Sequence, residues 1–183
     1  MLARPDCRGD HFSVSPTRQV VIKLTFLYNP FCIVAPMRAR LSLRNDSADL
    51  ARLTEFASEF TSRHQLADEE TARLQIILDE LFTNVVDYGY EATAGEERRD
   101  GHIEVALSLE GDRLIIEFVD DGCPFDPLTS PPPDLDLPAE ERPIGGAGIA
   151  IVRGLVDEAG YRRDGNRNRL TLGRTVRRQL ALR

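Results

Sequence analysis

The sequence predicts a two-layer α/β sandwich of the α+β kind, with helices on one face of a mostly antiparallel, mixed sheet. Three observations carry the prediction. A strand pattern runs into a helix pattern just after residue 37, and a strongly periodic helix ends near Gly89. Two consecutive strand patterns are then joined by a turn at Gly111 and Asp112.

In chain order, RARLSLR alternates Leu41 and Leu43 with polar neighbours and reads as a strand. Asn45, Asp46 and Ser47 offer capping oxygens to the helix LARLTEFASEF. Asp68 is placed to cap the second helix, with Glu69 and Glu70 in its first turn, where carboxylates complement the helix dipole. HIEVALSLEG and DRLIIEFVDDG form the hairpin, the second strand ending in an acidic, glycine-bearing corner. From Pro124 to Pro143 there are seven prolines and almost no periodicity, the mark of a long irregular connection such as a lid. GIAIVRGLVDEAG then reads as a third helix, RRDGNRN as a turn and RLTLGRTVRR as the final strand.

The net charge of −7 becomes −9 beyond residue 36, because the first 36 residues carry four basic against two acidic side chains. Such a surface repels nucleic acid phosphates. Three scattered cysteines without a CxxC pair and three scattered histidines suggest neither a disulfide framework nor a zinc site, so a cytoplasmic location is expected. The apolar stretch 20–36 is short and interrupted by Lys23, Asn29 and Pro30, which argues against a membrane span. Residues 1–36 are therefore expected to be a tail: disordered, an extra strand, a dimerisation arm, or an extension upstream of a chain that starts at Met37. The domain proper is expected over 37–183.

Three features are candidates for chemistry. On the second helix, Arg73, Glu80, Asn84 and Asp87 fall within an arc of roughly 60°, opposite Leu74, Leu78, Leu81, Phe82 and Val85. A solvated helix face explains such a stripe equally well. Asp120 and Gly122 lie at a strand end, where a carboxylate held in one direction can accept a hydrogen bond from an exocyclic amine and a glycine lets a flat ring approach. A plain turn is the alternative. Gly145, Gly146, Ala147, Gly148 and Ile149 open the third helix, where bare backbone N–H groups and the helix dipole suit phosphates. Glycines there can also serve only to turn the chain.

Other nucleotide pockets are excluded. The chain has no lysine after Lys23, so it contains no phosphate loop of the GxxxxGK[ST] type. Ile151 stands where a dinucleotide fingerprint needs its third glycine, and the kinase signatures HRD and DFG are absent.

The strings DELFTNVVDYGY, FVDDGCPFDP and GGAGIAIV, in this order, resemble the N, G1 and G2 boxes of the GHKL ATPases, whose domain is the Bergerat fold. The short form, the PFDP string and the ending RRDGNRNRLTL are similar to the anti-sigma factor serine/threonine kinases within that class. The resemblance implies that Asn84 holds Mg²⁺ on ATP, that Asp120 reads the adenine amine beside Gly122, and that Gly146, Ala147, Gly148 and Ile149 cradle the phosphates. It further implies that Glu80 acts as base toward an attacking hydroxyl and that Thr171 reaches the base. Asp87 departs from the pattern, many relatives carrying histidine there, and would affect the Mg²⁺ or water network. The function implied is an ATP-binding anti-sigma factor that phosphorylates a STAS-type anti-sigma factor antagonist and otherwise sequesters a sigma factor, as a homodimer and without direct contact to nucleic acid or membrane. The alternative is a nucleotide-gated binding module of the same fold without significant kinase activity.

Overall fold

The computed structural model describes residues 37–90, 100–129 and 147–179. The expectations for 1–36, for Gly145 and Gly146, and for most of the proline-rich connection lie outside the described residues.

β1 (Met37–Arg44) leads through a 3₁₀ turn into α1 (Leu50–Arg63), and Asp46 caps that turn by accepting the Ala48 N–H at 3.0 Å. α2 (Asp68–Asn84) follows and runs on into a π turn over Val85–Gly89. Asp68 is the first helical residue, with Ala67 at the cap position, so its carboxylate acts on the helix dipole and accepts from the Gln179 amide at 3.1 Å. β2 (His102–Glu110) and β3 (Arg113–Asp120) form the hairpin, and Gly111, with φ of 63°, occupies the first turn position that only glycine takes readily.

α3 spans Ala147–Leu155, shorter than the sequence suggests, because Glu158–Asp164 is drawn into β4. Its pairing partner is β5 (Arg167–Thr175), and the turn between them is reduced to Gly165 and Asn166. Helix propensity beyond Leu155 is overridden at once: the Asp157 N–H bonds to Gly173 O at 2.9 Å and its carboxylate accepts the Thr175 N–H at 2.6 Å.

Among the described residues five strands lie in the order β1-β2-β3-β5-β4, and every pairing between them is antiparallel. Strand alternation puts Leu43, Val105, Ile116, Leu170 and Leu172 on one face. Leu53 and Phe60 of α1, Leu74, Ile77, Leu78 and Leu81 of α2, and Ile149 and Val152 of α3 cover that face and form one core with it. The other face is charged and paired across strands: Arg38 with Glu117, Arg169 with Glu117 at 3.8 Å, and Arg167 with Glu104 at 3.7 Å. The two-layer prediction thus holds.

Candidate functional site

The site lies where the last turns of α2, the end of β3 and the first turn of α3 meet. Glu80 and Asn84 sit one turn apart on the same face of α2, as the helical period requires. Both are half-buried, and among the described residues neither side chain makes a hydrogen bond or ion pair. Arg73, grouped with them by periodicity, is occupied instead by Glu69 and Glu70 at the far end of the helix. The π turn is wider than an α turn, so the 100° spacing that aligned Asp87 with Asn84 fails beyond Val85. Asp87 is exposed.

The acidic corner is fastened to the end of that helix. The Cys123 N–H donates to Gly89 O at 2.9 Å, and a Cβ on Gly122 would stand 2.6 Å from the same oxygen and 2.8 Å from Asp120 Oδ1. Glycine at 122 is therefore demanded by a close backbone approach. Asp121 also serves as a brace, because its Oδ1 accepts from the Tyr90 hydroxyl and from the His102 N–H, each at 2.8 Å. Burial, then the bond to Asp121, pushes the Tyr90 phenol well above its usual range.

Asp120 differs from its neighbour. It is 6% exposed, and its Oδ1 accepts from the Gly122 N–H at 2.9 Å and from Asn168 Nδ2 at 2.8 Å. Among the described residues its Oδ2 accepts nothing. Burial raises its carboxyl above the usual value, outweighing the Asn168 and Gly122 donors and the charge of Arg163, while Asp121 adds to the rise. A buried carboxylate with one oxygen filled and one open is built to accept a hydrogen bond from something else.

At the start of α3, a Cβ on Gly148 would lie 2.0 Å from Glu80 Oε2, so the first turn of the helix rests on that carboxylate through a glycine. Ile149 turns its side chain into the core, leaving only its backbone for any ligand. Ala147 is the first residue of the helix.

Thr171 requires a correction. It pairs with Glu117 on the outer, charged face of the sheet and is exposed, so it points away from Asp120. The strand residue that does reach Asp120 is Asn168, directly across the sheet from it and 7% exposed. A signal was present in the sequence: Asn168 shares the strand parity of Leu170 and Leu172, which places an amide in line with core side chains.

No group of three metal-binding His, Cys, Asp or Glu side chains occurs among the described residues. A single free amide at Asn84 nonetheless fits Mg²⁺ carried by a triphosphate, since that ion keeps phosphate oxygens and waters as most of its ligands.

Comparison with known proteins agrees with this geometry. Residues 43–174 match the family model described as histidine kinase-like ATPase domain. A serine-protein kinase RsbW of Bacillus cereus is 31% identical over 101 residues, which cover 53% of this chain and 59% of the relative. The RsbW of Bacillus mycoides is 29% identical over the same shares. The match thus spans less than two thirds of these relatives. Among solved structures, the RsbU and RsbW domains of Rv1364c from Mycobacterium tuberculosis superpose with a TM-score of 0.52 at 17% identity, covering 79% of this chain and 34% of that one, which supports the shared fold.

Proposed function

This chain belongs to the histidine kinase-like ATPase domain family, and on that premise we propose that it is an ATP-binding anti-sigma factor that phosphorylates a serine or threonine of a STAS-type antagonist. In this reading residues 37–183 form the ATP-binding domain, the protein works in the cytoplasm as a homodimer, and unphosphorylated antagonist competes with a sigma factor for it.

The observation that carries the reading is the open oxygen of buried Asp120. An exocyclic amine is the donor that would satisfy it, and adenine presents one. The base then lies beside Gly122, and the triphosphate runs toward the N-terminus of α3, where Ala147, Gly148 and Ile149 offer backbone N–H groups. Gly146 would extend that cradle. Asn84 is the ligand for Mg²⁺, which would neutralise charge on the phosphates when bound. Asp87, exposed beyond the π turn and out of line with Asn84, would act on the ion only through water.

Glu80 is the base. Among the described residues no donor meets its carboxylate, which lies against the first turn of α3, the end at which the γ-phosphate would stand. Phosphoryl transfer asks mainly for positioning and charge stabilisation, so one carboxylate, one metal ion and a backbone cradle form a sufficient set. The sequence kinship to RsbW serine-protein kinases supports the same chemistry.

Titration calorimetry with ATP and Mg²⁺, followed by transfer of labelled phosphate to STAS-domain proteins of the same organism, tests the proposal. Mg²⁺-dependent binding and a labelled serine or threonine are expected. Absence of binding would overturn the pocket, whereas binding without transfer would leave a nucleotide-gated module.

A further inference from the structure

The side chain of Asn168 makes more hydrogen bonds than any reader of the adenine amine would need for itself. Its Nδ2 donates to Asp120 Oδ1 at 2.8 Å and to Cys123 O at 2.9 Å, which uses both amide protons. Its Oδ1 accepts from Arg163 Nη1 at 2.8 Å, from the Tyr161 hydroxyl at 2.9 Å and from the Phe125 N–H at 3.3 Å. Turning the amide over would set its oxygen against the Asp120 carboxylate and the Cys123 carbonyl, and its NH₂ against the N–H donors of Arg163 and Phe125. One orientation therefore survives.

That orientation has a consequence for Asp120. A carboxylate at a strand end can pivot about its last side-chain torsion, which is a soft, two-fold rotation. Here the Gly122 N–H holds Oδ1 from the corner and Asn168 holds the same oxygen from across the sheet. With Oδ1 fixed by two donors, Oδ2 points in one direction. Arg163 ties the arrangement to the loop as well, through a second bond to Gly122 O at 3.0 Å. β4 thus takes part in the site through Tyr161 and Arg163, although it is an edge strand that none of the three nucleotide-box strings reaches.

We infer that Asn168 is the specificity-positioning residue of the nucleotide site, orienting Asp120 so that a purine with a 6-amino group is accepted and one with a 6-oxo group is refused. The inference rests on the proposal that Asp120 meets adenine. A 6-oxo group would bring an oxygen against the fixed Oδ2 and leave that carboxylate without a donor, which is the kind of mismatch that polar sites reject strongly. A carboxylate free to turn loses that discrimination before it loses binding, because stacking and phosphate contacts remain.

The test compares the affinities of ATP and inosine triphosphate, both with Mg²⁺, for the wild type, Asn168→Leu and Asp120→Ala. The wild type is expected to prefer ATP, and Asn168→Leu to lose about tenfold or more of that preference, the size of one charge-assisted hydrogen bond. Loss of overall stability alone would weaken both nucleotides equally and leave their ratio unchanged. If Asn168→Leu melts below the assay temperature, Asn168→Ser carries the same readout, since a hydroxyl on the shorter side chain no longer spans to Asp120. A folded Asn168 variant with the wild-type ratio would overturn the inference while leaving the adenine reading intact. A wild type that does not distinguish the two nucleotides, or an Asp120→Ala variant that still does, would overturn the adenine reading itself.

Discussion

The two ends of α2 carry similar polar residues and treat them in opposite ways. In the first turns, Glu70 is 2% exposed and lies 2.9 Å from Arg174 Nη2, while Arg73 reaches both Glu69 and Glu70. Among the described residues Glu70 Oε2 has no partner in hydrogen-bonding geometry, so Arg174 holds it as a charge contact. Arg174 also donates to Leu155 O, closing the last turn of α3. In the last turns, Glu80 and Asn84 are half-buried with no partner among the described residues. A buried polar group that is paired holds the fold together, and one left open beside a glycine cradle is held ready for a ligand.

Substitutions at the two ends should therefore separate activity from stability. Glu80→Gln is expected to lower phosphoryl transfer by about 10²–10⁴-fold, the usual contribution of a general base, while ATP affinity stays within a few-fold; single-turnover assays at saturating ATP read it. Glu70→Ala, at the opposite end, is expected to cost about 3 kcal/mol in urea unfolding by leaving Arg174 buried without its counter-charge, with ATP affinity unchanged. If Glu70→Ala abolished nucleotide binding without unfolding the protein, the division between the ends would be wrong.

Smaller effects sharpen the contrast. Asn84→Ala should weaken Mg²⁺-dependent ATP binding by about 10- to 100-fold in calorimetry and leave the melting curve in place. Gly148→Ala would bring a methyl 2.0 Å from Glu80 Oε2, the far end of a flexible side chain. It should cost less than about 1 kcal/mol in stability yet reduce transfer by displacing the base. Asp120→Asn is the substitution expected to stabilise, and that sign is informative. Because burial raises the Asp120 carboxyl, the ionised group costs stability above its folded pKa, and the cost is relieved as pH falls through that value. The variant should thus be more stable than wild type at neutral pH, lose that advantage on acidification in melting scans, and bind ATP worse.

Local chemistry made much of this architecture legible. The period of apolar residues located α1 and α2, and a turn glycine with the flanking alternation located the β2–β3 hairpin. The placement of the candidate residues was legible where it follows from their own element: Glu80 and Asn84 share a face by spacing on a helix, and Asp120 stands at a strand end. Asp87 was misgrouped because a π turn follows Asn84 and nothing in the local pattern announces it. Thr171 was implied by resemblance alone, and only the register shows that it lies on the outer face while Asn168 stands across from Asp120.

The sequence by itself determined the helices, the hairpin, the acidic corner and the glycine at the head of α3, since each follows from short-range periodicity, turn chemistry or sterics. Only the tertiary structure decided that 158–164 is a strand, that Asn168 and not Thr171 faces Asp120, and that Gly148 rests on Glu80. Those outcomes depend on register and on contacts between groups far apart in the chain, where the same residue type is core, surface or ligand according to what the fold sets opposite it.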